Sequence, residues 1–455
     1  MTSRLVVVAA AFCYSCGQPA PPAEQAPSAV TVFSAAEIIV GDGRPPLRGG
    51  ALVVENGAIT RVDTLEALDV PASANRVDFG DATIMPLMIN LHGHPGFLQG
   101  TVLSAANYSR AAILEHLALY EHYGVGAVLA LGTDVGDTAR AIREEQRAGR
   151  LGGARLLTAG RGLTAVGGWP TVIPALKDAP IQVATADEAR AAVRQLAEAD
   201  VDVIKIWVDD NLGRIPKLPR AVYAAAIAEA HEHGKPVYAH VFSLDDAKAV
   251  VAEGADVLAH SIRDRAVDAA LIQSMRERNV AYVPTLTAHE ATFIFADRPD
   301  WINDPALRQG YPQLPMALGA PEFSAGIAKN PDLALFRQQY AIARQNLKAL
   351  ADGGIRIAMG TDSGTANRFY GYNEQRELEL MVSAGLTPAQ AITAATQTAA
   401  ALIGLDDIGT LTEGRRGDFA VVTGRPAENI LDSRRIEAVF RSGKAVSREA
   451  LGVQK

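Results

Sequence analysis

From about residue 86 to residue 405 the chain alternates short apolar runs with longer stretches whose apolar residues recur at helical spacing. This is the rhythm of strand–helix–strand units. Eight runs read as buried strands: 83–94, 126–131, 155–159, 201–208, 236–240, 256–260, 280–286 and 355–362. Helices fall between them. Thr185-Ala186-Asp187-Glu188 is a capping box that opens one, and Pro388 after Thr387 occupies the favoured first position of another. Residues 289–332 form the longest irregular stretch, rich in Pro, Asp and aromatics. A connection this long is usually functional, so it is expected to act as a lid or pocket wall after the seventh strand. The flanks differ from this middle part. Residues 31–84 and 408–444 alternate apolar and polar positions between glycine-bearing turns, with Glu55-Asn56-Gly57 as a hairpin signal.

Eight strand–helix units predict an α/β chain folded as a (β/α)8 TIM barrel, in which the C-terminal ends of all strands converge on one rim. Six residues sit at those ends: His92 and His94, then Lys205, His240, His260 and Asp362. His92 and His94 form a His-x-His pair, which on a strand places both imidazoles on one face and lets them hold one divalent metal. Taken singly, each of the others has a plainer reading as a hydrogen-bonded strand-end residue. Lys205 lies inside a β-branched run, and an isolated lysine there would ordinarily mark an edge strand facing water. Their shared placement is what argues for one site. Among the remaining histidines, His116, His122, His231 and His233 fall in helical, Ala/Glu-rich stretches and read as solvated or capping residues, while His289 is a further rim candidate.

His-x-His, a strand lysine, two single histidines and a final Thr361-Asp362-Ser363 resemble the metal-dependent amidohydrolase superfamily. The resemblance is to its imidazolonepropionase-related and prolidase-like members with a binuclear centre, and it covers nearly everything after about residue 30. It implies a barrel over residues 86–405, with an insertion near 289–332. Beside it, a small discontinuous β-sandwich would be built from residues 28–85 and 406–455. One position departs from the family's Pro-Gly-Leu-Ile-Asp: here the chain reads Pro86-Leu87-Met88-Ile89-Asn90, which touches a hydrogen bond near the ligands rather than a ligand. The resemblance also implies the cofactors. His92, His94 and Asp362 would hold the more buried of two divalent ions, and His240 and His260 the outer one. Lys205 would bridge them as a CO2-derived carbamate. Imidazole and carboxylate-type ligands suit zinc, and manganese, cobalt or iron are also compatible. Ions about 3.5–4 Å apart share a hydroxide that attacks a carbonyl. Asp362 would take up its proton and deliver it to the departing nitrogen.

The function so implied is metal-dependent hydrolysis of an amide-type C–N bond in a peptide, N-acyl amino acid or lactam. Two alternatives stand beside it. A mononuclear deaminase of the same superfamily would not need Lys205, and such relatives usually carry Glu where Ser243 stands here. A non-catalytic lipoprotein on the same fold would be expected to lose ligands, yet all six positions are filled. The partner is a small-molecule substrate. Tyr238 and Trp207 share faces with His240 and Lys205 and are pocket candidates, as are Arg161 and Arg263 at rim loops, either of which could clamp a carboxylate. Gly167-Gly168-Trp169-Pro170 reads as a shaped loop on the same rim.

A length of 455 residues suits a large core plus a satellite domain, and a net charge of −8 argues against nucleic acid as a partner. Arg4, an apolar run over residues 5–12 and then Cys13-Tyr14-Ser15-Cys16-Gly17 read as a secretory signal, with a Pro/Ala/Gln-rich tether to residue 27. Cys16 after Ser15 resembles the lipid-anchored cysteine of bacterial lipoproteins, which predicts a periplasmic or outer-membrane, cell-surface location. A plain cleaved signal and secretion is the alternative. Barrels of this type commonly pair into homo-oligomers.

Overall fold

A computed structural model of the chain describes residues 30–448, so the signal and lipid-anchor readings, with Cys13 and Cys16, lie outside the described residues. Seven parallel strands follow in order: β1 Met88–Gly93, β2 Val125–Ala130, β3 Arg155–Thr158, β4 Ile204–Val208, β5 Val237–Val241, β6 Val257–Ala259 and β7 Ala281–Val283. β1, β2 and β3 pair side by side, as do β4 through β7. The Asp202 amide reaches the Thr158 carbonyl at 2.8 Å and joins the two groups. Residues 355–362 complete the ring. Ile357 bridges Tyr282 on one side, Ser363 bridges Gly93 on the other, and the Leu91 amide donates to the Met359 carbonyl at 3.0 Å. The architecture is an α/β barrel of the TIM type. The eighth segment keeps these isolated bridges rather than forming a regular strand, and its last residue, Asp362, leaves extended backbone with φ 60.

The apolar run at 83–94 does not make one strand. Pro86 has no amide hydrogen to donate, and the chain breaks pairing there. Thr83–Pro86 joins a six-stranded sheet between Phe419–Val422 and Glu37–Ile38, whereas β1 starts at Met88, whose amide turns to the Gly124 carbonyl at 2.8 Å. Ile436–Arg441 and Lys444–Ala445 extend the same sheet, so both ends of the described chain meet in it. A four-stranded sheet of Thr31–Ser34, Gly50–Glu55, Ala58–Thr64 and Asn75–Asp78 packs against it over Phe33, Leu52, Ile59, Ile84, Phe419 and Phe440. The hairpin turn at Asn56 and Gly57 takes positive φ at both residues, as the Asn-Gly signal predicts. Both capping boxes form, Thr185 with Glu188 and Thr387 with Gln390.

The insertion is built of short helices where an irregular stretch was expected. The seventh strand ends at Val283, and Leu286–Glu290 is already helical. Pro305–Gly310, Leu314–Gly319 and Pro321–Ala328 are short helices packed around Phe295, Trp301 and Phe323, each opened or entered by proline at a first-turn position. Burying these aromatics against one another draws the insertion away from the rim. Its start (His289 and Thr292), with Phe336 and Gln339 of the following helix Leu333–Asp352, lines the central cavity, so it serves as part of the pocket wall.

Candidate active site

The cavity at the C-terminal rim of the barrel has a volume of about 350 Å³, and His92, His94, His240, His260 and Asp362 line it. Their rings are near neighbours: His92 and His94 centroids lie 5.2 Å apart, His92 and His260 4.5 Å, His240 and His260 4.3 Å. Asp362 Oδ1 is 2.7 Å from His94 Nε2 and 3.3 Å from His92 Nε2. His92, His94 and Asp362 form a three-donor group that can hold one metal ion. Lys205, on β4, has no exposed surface, and its Nζ has no hydrogen-bond partner. Space for it is made by glycine: a Cβ on Gly132 would come within 2.7 Å of Lys205 Cγ, and one on Gly162 within 2.8 Å.

Three of the four imidazoles are turned by a partner that composition and periodicity did not point to. Thr133 Oγ1 meets His94 Nδ1 at 2.7 Å and Thr285 Oγ1 meets His260 Nδ1 at 2.9 Å. Asp209 Oδ2 lies 2.7 Å from His240 Nε2. Burial pushes the Asp209 carboxyl up, but that hydrogen bond and the nearby charges prevail and hold it at about 2, so it is an acceptor and His240 Nε2–H donates. The lone pair of His240 therefore sits on Nδ1, which is buried without a partner. Such orienting contacts are what fix the tautomer of a metal-binding histidine. Burial lowers His92, His240 and His260, keeping their rings neutral, as ligation requires. Lys205 is pushed down to about 7 by burial, with the Asp362 charge opposing. Burial acts to raise Asp362, but the Arg368 guanidinium bonded to it and the His94 contact hold it well below the usual carboxylate range.

Orphaned buried donors at His92 Nδ1, His240 Nδ1 and Lys205 Nζ, beside neutral imidazoles and an ionised carboxylate, make a donor set that fits divalent metal. His260, Thr285 and Asp362 all take left-handed backbone, with φ of 72, 48 and 60. That conformation is unfavourable for such residues and clusters at functional sites.

Asn90, where the family pattern has Asp, keeps a full set of contacts. Its Nδ2 donates to Glu374 Oε1 at 2.7 Å and Thr361 Oγ1 at 3.0 Å, and its Oδ1 accepts from the His92 amide at 2.9 Å. Ser363 and Tyr120 extend the network, and the Glu374 carboxyl is pushed up to about 7 by burial. Asn90→Ala should cost about 2–4 kcal/mol by leaving these groups short of partners, read as a lower Tm in thermal unfolding; an unchanged Tm would show that the network does not hold β1.

The pocket candidates divide. Trp207 and Arg263 line the cavity, with Trp169 and Pro170 of the glycine-rich loop. Tyr238 does not. It sits one layer below His240, wholly buried among Leu91, Leu129, Val257 and Val283, because two residues before a strand end lead back into the barrel. Arg161 is not in the cavity either; its guanidinium is spent on the carbonyls of Ala179 and Pro180, at 2.8 and 2.9 Å. His289 does line it, its Nε2 accepting from the Ser261 amide at 3.2 Å. His116 and His122 are buried rather than solvated. His116 Nδ1 accepts from the Gly96 amide at 2.9 Å and its ring stacks 3.9 Å from Tyr370, bracing the turn after His94. His231 and His233 pair with Asp256 and Glu229 at the surface.

The sequence profile of the amidohydrolase family matches residues 83–446. The chain belongs to the amidohydrolase family. Membership of this family makes it a hydrolase, and the His92, His94 and Asp362 group is one that can hold a metal ion. Within this amidohydrolase, a stretch of 79 residues, 17% of the chain, is 39% identical to imidazolonepropionase of Deinococcus radiodurans. That stretch spans 20% of the relative's length. A solved Xaa-Pro dipeptidase with methionine bound in its active site superposes with a TM-score of 0.74 at 22% identity, covering 92% of this chain and 100% of the dipeptidase. A. niger ochratoxinase superposes at 0.71 with 21% identity, covering 92% and 96%. At these identities the two structures speak for the fold.

Proposed function

We propose that this amidohydrolase cleaves the amide bond of a small, carboxyl-bearing substrate such as an N-acyl amino acid or dipeptide. The carrying observation is the convergence of four histidines and Asp362 around a wholly buried lysine that has no partner. A protonated amine there would be costly and would repel cations, whereas a neutral amine that adds CO2 becomes an anion with two oxygens. His92, His94 and Asp362 would hold one divalent ion, His240 and His260 a second, and carboxylated Lys205 would lie between them. Two such ions, best matched by zinc, would supply a Lewis acid for the carbonyl and activate a water.

The rest belongs to the chain's own groups. Asp362, kept ionised by Arg368, accepts the proton of the attacking water and returns it to the leaving nitrogen, so no covalent enzyme intermediate is needed. Thr133, Thr285 and Asp209 hold the rings in place. Arg263 stacks on Phe242 at 4.5 Å and gives one hydrogen bond to the Ser261 carbonyl, yet forms no ion pair among the described residues. A guanidinium lining a cavity, whose acidic neighbours Asp209 and Asp362 act on it only from beyond ion-pair distance, keeps donors open for a substrate carboxylate. Arg263→Met should raise KM for a carboxylate substrate about 10²-fold while changing that for its uncharged amide little, measured by steady-state kinetics. Metal analysis together with turnover of N-acyl amino acids and dipeptides tests the whole reading; a metal-loaded protein that cuts only neutral lactams or esters would sink it. The N-terminal segment, with Cys16 after a short apolar run, supports export and lipid anchoring.

A further inference from the structure

The cavity is two-sided. Strand β4 and the loops after β1, β3 and β4 supply an apolar wall of Leu103, Trp169, Ile173, Leu176, Trp207 and Leu212. Facing it, Arg263, His289 and Arg368 come from the loops after β6, β7 and the eighth segment, and the metal-binding residues lie between the two. His289 adds a directed donor. Its Nε2 receives the Ser261 amide hydrogen, so the ring's own hydrogen sits on Nδ1. Arg263 and the His289 Nδ1–H together fix where a carboxylate goes. The acyl side of the scissile bond must then face the apolar wall.

Only two carboxylates line the cavity among the described residues, Asp209 and Asp362. Both are committed. Asp209 accepts from His240 and, at 2.7 Å, from the Asn211 amide, and Asp362 meets His92, His94 and Arg368. A dipeptide carries its α-ammonium on the carbon next to the scissile carbonyl, on the acyl side. There it would meet tryptophan, isoleucine and leucine, and the one carboxylate on that side, Asp209, already holds His240 with one oxygen and the Asn211 amide with the other, a costly placement for a further charge. The apolar character continues outward, since Val166 and Val172 on the loop after β3 are 59% and 45% exposed.

We propose that the substrate's acyl group is apolar and bears no free α-amine, making the protein a hydrolase of N-acyl amino acids that discriminates against dipeptides. This rests on the amide-hydrolase reading above and narrows it. The matched probes are hexanoyl-phenylalanine and norleucyl-phenylalanine, which differ only by a hydrogen in place of the α-ammonium. With the metal-loaded full chain at pH 6.5, kcat/KM should favour the hexanoyl compound about 10²-fold, the penalty of an unpaired charge. Taking the ratio cancels the enzyme's own titrations. At pH 9, above the α-amine pKa of about 8, the preference should shrink about tenfold as the ammonium is lost. Leu176→Asp should restore dipeptide cleavage selectively by placing an anion on the wall. Equal or better cleavage of the dipeptide at pH 6.5, or a preference that does not change with pH, overturns the inference and leaves the amide-hydrolase reading standing. If neither probe is cut while neutral lactams are, that reading fails and takes the inference with it.

Discussion

Lys205→Ala is expected to leave the protein folded but short of metal, with kcat/KM lowered about 10³-fold or more, the loss expected when a fixed charge at the reacting centre is removed. The argument is electrostatic. Four imidazoles bring no negative charge, so with one carboxylate they cannot balance two dications, and the carboxylate is already shared with Arg368. An anion contributed at Lys205 supplies what is missing. Alanine also leaves a cavity flanked by Gly132 and Gly162, neither of which carries a side chain to fill it. Short carboxylic acids such as propionate should enter that space and restore part of both metal content and activity. Elemental analysis with and without added acid is the measurement. Wild-type turnover and full metal in the variant without acid would rule out a bridging role.

Asp362→Asn should separate binding from chemistry. Asparagine keeps the shape and one oxygen, so at least one metal should remain bound through the histidines. It cannot accept a proton, and kcat should fall about 10²–10⁴-fold with a much smaller change in KM, the range for loss of a general acid–base. Arg368 would lose its counter-ion at the same time, an unpaired cation beside the site. Part of any fall could come from that charge, so Arg368→Met measured alongside sets its share. Metal content near wild type with kcat barely altered would remove Asp362 from the proton path.

Much of this site was legible in the chain because its primary donors lie where apolar runs stop. His-x-His, His240, His260 and Asp362 are visible for that reason, and the family resemblance moved Lys205 from an odd surface lysine to a proposed member of the site. The orienting groups were not. Thr133, Thr285 and Asp209 each serve a ring on another strand, so their role depends on neighbouring strand ends meeting in space, which no local periodicity encodes. Arg368 was missed for a related reason: it folds back onto Asp362 from a loop without strand or helix pattern. Tyr238 and Trp207 show how direction along a strand matters. Both share parity with a metal-site residue, but Trp207 is a step towards the rim from Lys205, whereas Tyr238 is a step towards the barrel floor from His240. Parity gives the face, and only the barrel axis gives the depth. The break at Pro86 was in plain view, yet the apolar run across it masked the change of sheet.

That break has a consequence for how the protein comes into being. Thr83–Pro86, just ahead of the strand bearing His92 and His94, pairs residue for residue with Phe419–Val422. On the ribosome the first histidines emerge well before their anchoring partner, which follows only after the whole barrel has been made. Such distant pairings close late and slowly. Closure of the ring and its terminal sheet therefore follows synthesis of the whole barrel, and a site that needs both in place would take up its ions only then.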